Sequence, residues 1–297
     1  MKSTVTVGLC VRNCEDFIKE AIDSIIDQDF AHELMDLIIV DGNSEDKTLS
    51  ILKQNLEKTS LKHKIFWENK GLGRARQIVV DNASGDYIIW VDGDMILPKN
   101  HIRKQVEFMD KNSQVGIAIA RHGQIDGENI VAVLENILFR VYDSKSELAD
   151  SRLPGTGGSV YRVKAIRQVG GFDDEIKGAG EDLDAAFRIK EGGWLLKQGS
   201  ALYYERRAQT WEGVWRKWFG YGFGLYDLYC KNRGVFSLFR MNPLAGVING
   251  FLRIADAYKL IRRKYVILLP FHFAFEMTAW CIGFTNGSVK KGLQKTT

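Results

Sequence analysis

Cysteine is scarce: Cys10, Cys14, Cys230 and Cys281 are the whole supply in 297 residues. Their spacing matches no zinc-ligand pattern. Four scattered thiols in so long a chain also make no disulfide framework, so a reducing cytosol is the expected setting. Cys10 and Cys14 read as inert thiols in or near the core. Histidine is thin as well, and His32, His63, His101, His122 and His272 form no metal-like cluster. Neither sign of charge dominates: 41 Lys and Arg against 37 Asp and Glu leave a net charge of +4. No basic stripe with interleaved aromatics appears, so nucleic acid is not an expected partner. Internal repeats and low-complexity stretches are missing. Met1-Lys2-Ser3-Thr4 runs straight into a strand-like segment, and no signal peptide is expected.

What remains is the composition of a protein with a sizeable core, 45% apolar and 26% charged. The length suits one large domain, or one domain plus an appendage. The first half alternates strand and helix patterns. Thr4 to Val11 is apolar and β-rich. Glu15 to Gln28 has apolar residues at a helical period, at Phe17, Ile18, Ala21, Ile22, Ile25 and Ile26. Leu37 to Val40 reads as a buried strand, Thr48 to Leu56 as a helix capped by Ser44 or Asp46, Lys64 to Glu68 as a short strand and Gly71 to Asn82 as a helix. A strand ending at Asp92 follows. Near-continuous apolar strands in a βαβαβαβ order predict an α/β fold with a mostly parallel sheet flanked by helices. Right-handed crossovers then bring every strand's carboxyl end to one rim, where open sheets of this kind bind ligands. Asn13, Asp41, Asp92 and Asp94 all lie just past such ends.

The segment Asp86-Tyr87-Ile88-Ile89-Trp90-Val91-Asp92-Gly93-Asp94 drives an apolar strand into two carboxylates separated by a glycine. If the strand continues, both carboxylates share a face; if Gly93 ends it, they converge at a turn. Hard oxygen ligands in such a place suit Mg²⁺ or Mn²⁺ carrying phosphates. An ordinary solvated Asp-Gly turn is the plainer alternative. Beyond this point the pattern becomes mixed, with strands at Val115 to Ala120 and Ser159 to Arg162 and helices at Glu128 to Asp143 and Glu181 to Lys190.

From Trp211 onward the composition shifts to aromatics. Tyr265 to Thr285 is mostly apolar but contains Pro270, His272 and Glu276. It can lie in a membrane interface, span the bilayer or pack as a core helix. After Tyr258 the chain carries Lys259, Arg262, Arg263, Lys264, Lys290, Lys291 and Lys295 against a single acid, Glu276. That asymmetry suits an anionic membrane surface.

Four segments in this order are informative together: Val40-Asp41-Gly42-Asn43-Ser44-Glu45-Asp46-Lys47-Thr48; Asn69-Lys70-Gly71-Leu72-Gly73-Arg74-Ala75-Arg76-Gln77; Trp90-Val91-Asp92-Gly93-Asp94; and Gly170-Gly171-Phe172 followed by Glu181-Asp182-Leu183-Asp184. Over roughly residues 4 to 220 the chain resembles family 2 glycosyltransferases of the GT-A fold. The resemblance implies transfer of a sugar from a nucleoside diphosphate donor with inversion at the anomeric centre, usually with a divalent cation. It implies a role for Asp41 against the nucleotide base, although Asp41-Gly42 stands where many members have two successive acids. Arg12 and Asn13 would flank the base. Gly71 and Gly73 permit close backbone approach, and Arg76, with Arg74, would reach the diphosphate. Asp92 and Asp94 would hold Mn²⁺ or Mg²⁺, with Gly93 between them in the donor site. Asp182 would be the general base, with Glu181 second. Were the acceptor a lipid phosphate, already ionised, Asp182 would only orient it. Gly157 and Gly158 would form an acceptor loop, and Trp211, Arg216 and Trp218 resemble a late element that closes over donor or acceptor.

The resulting expectation is a GT-A catalytic domain over 1–230 and a helical, membrane-associating appendage over 231–297. The enzyme would sit on the cytoplasmic face of a membrane as a peripheral or monotopic protein. It would move a hexose, from GDP-mannose ahead of a UDP-hexose, to a lipid-linked acceptor. A processive polysaccharide synthase-like transferase and a non-catalytic sugar-nucleotide binding module are the competing readings. A nucleotidyltransferase would need a Gly-rich triphosphate loop near the first strand, which Cys10 to Cys14 is not.

Overall fold

A computed structural model describes residues 3–145, 153–176 and 178–294. The chain forms two compact units: 1–123 with 146–175 and 181–206, and 124–145 with 176–180 and 207–297.

The first unit begins with the anticipated alternation of β1 (Val5–Val11), α1 (Ile18–Ile26), β2 (Met35–Asp41), α2 (Thr48–Leu56), β3 (Lys62–Trp67), α3 (Leu72–Asn82) and β4 (Tyr87–Asp92). β2, β1 and β4 are nearly all buried, as a sheet covered on both faces requires. β5 (Met95–Ile96), α4 (His101–Lys111) and β6 (Val115–His122) follow. The second unit takes α5 (Ile130–Asp143), and the chain returns with β7 (Val160–Arg162), α6 (Val163–Gln168), α7 (Glu181–Glu191) and β8 (Leu195–Glu205). The sheet order is β3-β2-β1-β4-β7-β6-β8-β5. β3, β2, β1 and β4 are parallel to one another, as are β6 and β8; β7 runs antiparallel to both its neighbours and β5 antiparallel to β8. This is the mixed α/β sheet with flanking helices of the GT-A fold, mostly parallel as expected.

β4 stops at Asp92, so Asp92-Gly93-Asp94 is a turn and not a continuing strand. A Cβ on Gly93 would come within 2.7 Å of Cys14 Sγ, so only glycine lets the turn pack down on the loop after β1. Of the two caps proposed for α2, Asp46 serves: its carboxylate accepts from Thr48 N at 2.9 Å.

The second unit contains α5, α8 (Trp211–Lys231), α9 (Pro243–Ile261) and α10 (Leu269–Gln294). Leu134, Ile137 and Val141 of α5 meet Ala257, Val266, Leu269 and Phe273 in its core. Lys264–Lys290 is long and apolar enough to cross a membrane, and half of its most apolar stretch is buried within the protein. His272 and Glu276, the polar residues noted there in the sequence, are both buried, and His272 Nε2 lies 2.9 Å from Glu276 Oε1.

Candidate functional site

Arg76 is the centre of the rim. It lies one turn into α3 and is almost wholly buried. Its Nη1 is paired with Glu181 Oε1 and lies 3.8 Å from Asp182 Oδ2, while Nη2 lies 3.6 Å from Asp92 Oδ1. Residues distant in sequence thus converge on one guanidinium, whose planar fork serves several oxygens at once. Burial would lower its proton affinity; the carboxylates overcome this and hold Arg76 firmly charged.

The acids around it are not equivalent. Glu181 is sealed at the start of α7, and burial pushes its carboxyl up against the opposing pull of Arg76. Asp92 is also shifted up, chiefly by desolvation, opposed by Arg76 and aided by Glu205 and Asp182. Asp182 keeps 22% of its side chain open, against 2% for Glu181. Asp182 is therefore the acid of this pair that a substrate can reach.

Gly155 and Gly157 lie over these acids. A Cβ on Gly155 would stand 3.1 Å from Asp182 Oδ2, and one on Gly157 would press on Met95 and stand 3.7 Å from Asp92 Oδ2. Gly158 takes a left-handed φ of 65°, donates its N–H to Trp90 O at 3.1 Å and is held from below by Gln105 Nε2 donating to its carbonyl at 2.8 Å. The loop is thus a fixed wall of the cradle.

The residues expected to face a donor occupy the ends of β1, β2 and β3. Asp41 is buried; its Oδ2 accepts from Ser44 N at 3.1 Å, which is turn capping, while Oδ1 has no partner. Arg12 is exposed and runs across Gly42, where a Cβ would meet its side chain at 3.2 Å. Asn13 adopts φ 47° and ties its loop to the next, its Oδ1 accepting from Glu45 N at 2.9 Å. Gly71, at φ 128°, precedes α3 and gives that helix no side-chain cap. Half-buried Arg74 lies in its first turn, and a helix start of this kind can take an anion.

Sequence reasoning missed Glu68 and Glu205. Glu68 Oε1 accepts from Gly71 N at 2.6 Å, its Oε2 is buried without a partner, and its N–H donates to Asp41 O at 3.0 Å. It is the first acid past β3, the same signal that singles out Asp41 and Asp92. Glu205 ends β8, a strand that the sequence pattern does not reveal.

Gln77 joins the glycine motif to α3. Its Oε1 accepts from Phe172 N at 2.7 Å, and any Cβ on Gly171 would collide with the same amide. Phe172 in turn stands edge-on to Trp90 at 5.3 Å. Cys10 and Cys14 are inert, since burial pushes their thiols up to about 12 and about 11.

Trp211, Arg216 and Trp218 belong to the second unit. Trp211 packs on Phe271, His272 and Phe275, Trp218 on Tyr221, and exposed Arg216 pairs with Glu212 at 2.6 Å.

Residues 6–170 match the family model described as Glycosyl transferase family 2. The chain belongs to that family. Among similar proteins, poly(ribitol-phosphate) beta-N-acetylglucosaminyltransferase TarS of Staphylococcus aureus is 26% identical over 175 residues, covering 58% of this chain and 30% of the relative. Succinoglycan biosynthesis protein ExoA of Rhizobium meliloti is 25% identical, covering 70% and 65%. The chain thus spans less than two thirds of the length of these relatives. In fold it is similar to a mannosyltransferase from Pyrobaculum calidifontis in complex with GDP-Man and Mn²⁺, with a TM-score of 0.67 at 15% identity over 96% of this chain and 88% of that one. It is also similar to residues 1–349 of S. aureus TarS in complex with UDP, with a TM-score of 0.55 at 17% identity over 97% and 92%.

Proposed function

We propose that this family 2 chain is an inverting glycosyltransferase that moves a hexose from a nucleoside diphosphate sugar to a lipid-linked acceptor at a membrane surface. The observation that carries the proposal is the gathering of Asp92, Glu181 and Asp182 around buried Arg76 at the carboxyl rim of a parallel sheet. A relative named for its poly(ribitol-phosphate) acceptor, and a structural neighbour holding GDP-Man and Mn²⁺, support it.

Asp92 and Asp94 would hold Mn²⁺ or Mg²⁺. The donor set fits: hard oxygens, and a carboxylate whose charge is strained by desolvation and by neighbouring acids. Among the described residues no group of three or more His, Cys, Asp or Glu is arranged around one ion. Two carboxylates would be a sufficient protein contribution for a divalent cation that arrives with a phosphate-bearing donor. When bound, such an ion neutralises charge developing on the departing nucleoside diphosphate. The chain's own residues do the rest. Arg74 and the start of α3 orient the diphosphate, while buried Arg76 holds Asp92 and Asp182 in position beneath it. Asp182 takes the acceptor hydroxyl proton as that oxygen attacks the anomeric carbon and the glycosyl–phosphate bond breaks. Glu181 holds Arg76 in place.

Mannose from GDP-mannose is the preferred donor, ahead of UDP-hexoses. Asp41 Oδ1 and Glu68 Oε2 are buried acceptors without partners at adjacent strand ends. Guanine offers adjacent ring and amino N–H donors, whereas uracil offers one N–H between two carbonyls that such acids repel. The catalytic part lies within 1–230, and the helices of 231–297 keep it on the cytoplasmic face of the membrane.

The test is turnover and thermal shift with GDP-mannose, UDP-glucose and UDP-GlcNAc, with Mn²⁺ or with EDTA. Asp94→Ala is expected to lose about a thousandfold in turnover, the scale of a lost electrostatic contact to the leaving group. Full turnover in that variant, or in EDTA, would refute the proposal.

A further inference from the structure

α9 of the second unit is built the reverse of a helix meant for water. Its buried stripe is small: Gly246, Gly250 and Ala257. A Cβ on Gly246 would meet Phe273 O at 2.6 Å, and one on Gly250 would collide with the backbone of Pro270, so α9 and α10 touch main chain to main chain. Its large apolar residues point away. Leu244, Ile248, Phe251 and Leu252 are each more than half exposed and recur at helical spacing on the side opposite the glycines. Ile267, in the 3-10 turn before α10, and Phe271, in the first turn of α10, are also more than half exposed. α8 and α10 repeat the pattern, since Gly222 lies on Trp280 O and Gly283 on Phe219 O. Glycine at helix contacts, including Gly246-x-x-x-Gly250 and Gly283-x-x-x-Gly287, with Leu and Phe outside, is how helices pack where the surroundings are apolar.

Charge identifies those surroundings. Lys259, Arg262, Arg263 and Lys264 are all exposed at the turn that ends the stripe, and no acid occurs between Tyr258 and Glu276. Lys259 and Arg262 continue, at helical spacing, the exposed line of Leu244, Ile248, Phe251 and Ala255. Arg262 takes a left-handed φ of 52° at the end of α9, a place that usually favours glycine. A cation there also faces the negative end of the helix dipole.

We infer that this stripe is a docking face for an anionic lipid bilayer: Leu244, Ile248, Phe251, Leu252, Ile267 and Phe271 enter the acyl boundary, and Lys259, Arg262, Arg263 and Lys264 lie among acidic headgroups. This deepens the membrane placement proposed above and rests on it, but not on the identity of the donor. The face lies in the interface, apolar side down, without crossing the bilayer.

The experiment is co-sedimentation of the full chain with vesicles of phosphatidylcholine alone and of phosphatidylcholine mixed equally with phosphatidylglycerol. The parent chain is expected on the anionic vesicles, and raised salt should weaken its binding. Arg262→Gly, Arg263→Gln and Lys264→Gln combined keep the left-handed turn and should weaken binding about a hundredfold, at about 1 kcal/mol per cation. Ile248→Asp with Leu252→Asp, both on exposed positions, should abolish it. Variants that bind like the parent, equal binding to both vesicle types, or a lipid-free dimer that the Asp variants dissolve would overturn the inference. Donor-induced thermal shifts on the same variants separate the two readings. An intact shift with lost vesicle binding is the expected result, whereas vesicle binding without any donor shift would remove only the transferase reading.

Discussion

In the first unit the side chains sealed from water are large: Leu9, Leu37, Ile39 and Trp90. The glycines near its site lie in turns and loops, at Gly71, Gly93, Gly157 and Gly171. The second unit also seals large side chains, such as Leu134, Leu269 and Phe273, but α9 meets α10 on glycine, and Phe251 and Leu252 face outward. On the membrane placement proposed above, the difference follows from what each surface meets. Burial of large apolar groups stabilises a fold only when the alternative is water. Where the outside is itself apolar, close backbone approach is the remaining source of cohesion.

Four changes would break or sharpen this comparison. Arg76→Ala should act most strongly, because it leaves Glu181 buried and unpaired. About 3–5 kcal/mol of the first unit's stability should disappear in denaturant unfolding, and adding Glu181→Gln should restore part of it. His101 comes next. Burial pulls its imidazole down from 6.5 to about 4, so the folded state binds fewer protons than the unfolded chain between those values. Its contribution is complete above the unfolded value and is lost as pH falls through that window, up to about 3 kcal/mol. His101→Gln should flatten the acid limb of the stability profile.

The second unit supplies the smaller effects. Gly250→Leu adds apolar bulk where α9 touches Pro270, and it should cost about 1–3 kcal/mol. In the first unit the same kind of residue matters in the opposite sense, since a large residue such as Leu9 is what its core needs. Leu252→Ser should change stability in lipid-free solution by less than about 0.5 kcal/mol. A large loss there would mean that the outward stripe is a core after all, and the contrast between the units would fail.

Much of the first unit was legible in the sequence. β1, β2 and β4 are apolar runs ended by Asp or Asn, and such runs can hardly be anything but buried strands. α4 and β8 were not legible. α4 carries only three apolar residues on its buried stripe, Ile102, Val106 and Met109, which His101 and Gln105 complete, and β8 carries Lys197, Gln198, Gly199 and Ser200 in its middle beside an irregular register with β6. Losing β8 hid Glu205. The acids past strand ends could be read one by one, but the lock of Glu181 on Arg76 could not, because pairing across 105 residues leaves no local pattern. In the tail, the aromatic and basic composition was visible. Which face of α9 turned inward was not, since glycine and leucine exchange their usual places there.

Consecutive residues of α3 grip both ends of one stretch of chain: Gln77 takes the main chain at Phe172, and Arg76 takes the side chain at Glu181. The helix proposed to receive the diphosphate therefore also sets the station of the neighbouring Asp182. In the proposed transfer, leaving group and proton acceptor would be gauged from a single ruler, and a slip of α3 would misplace them together.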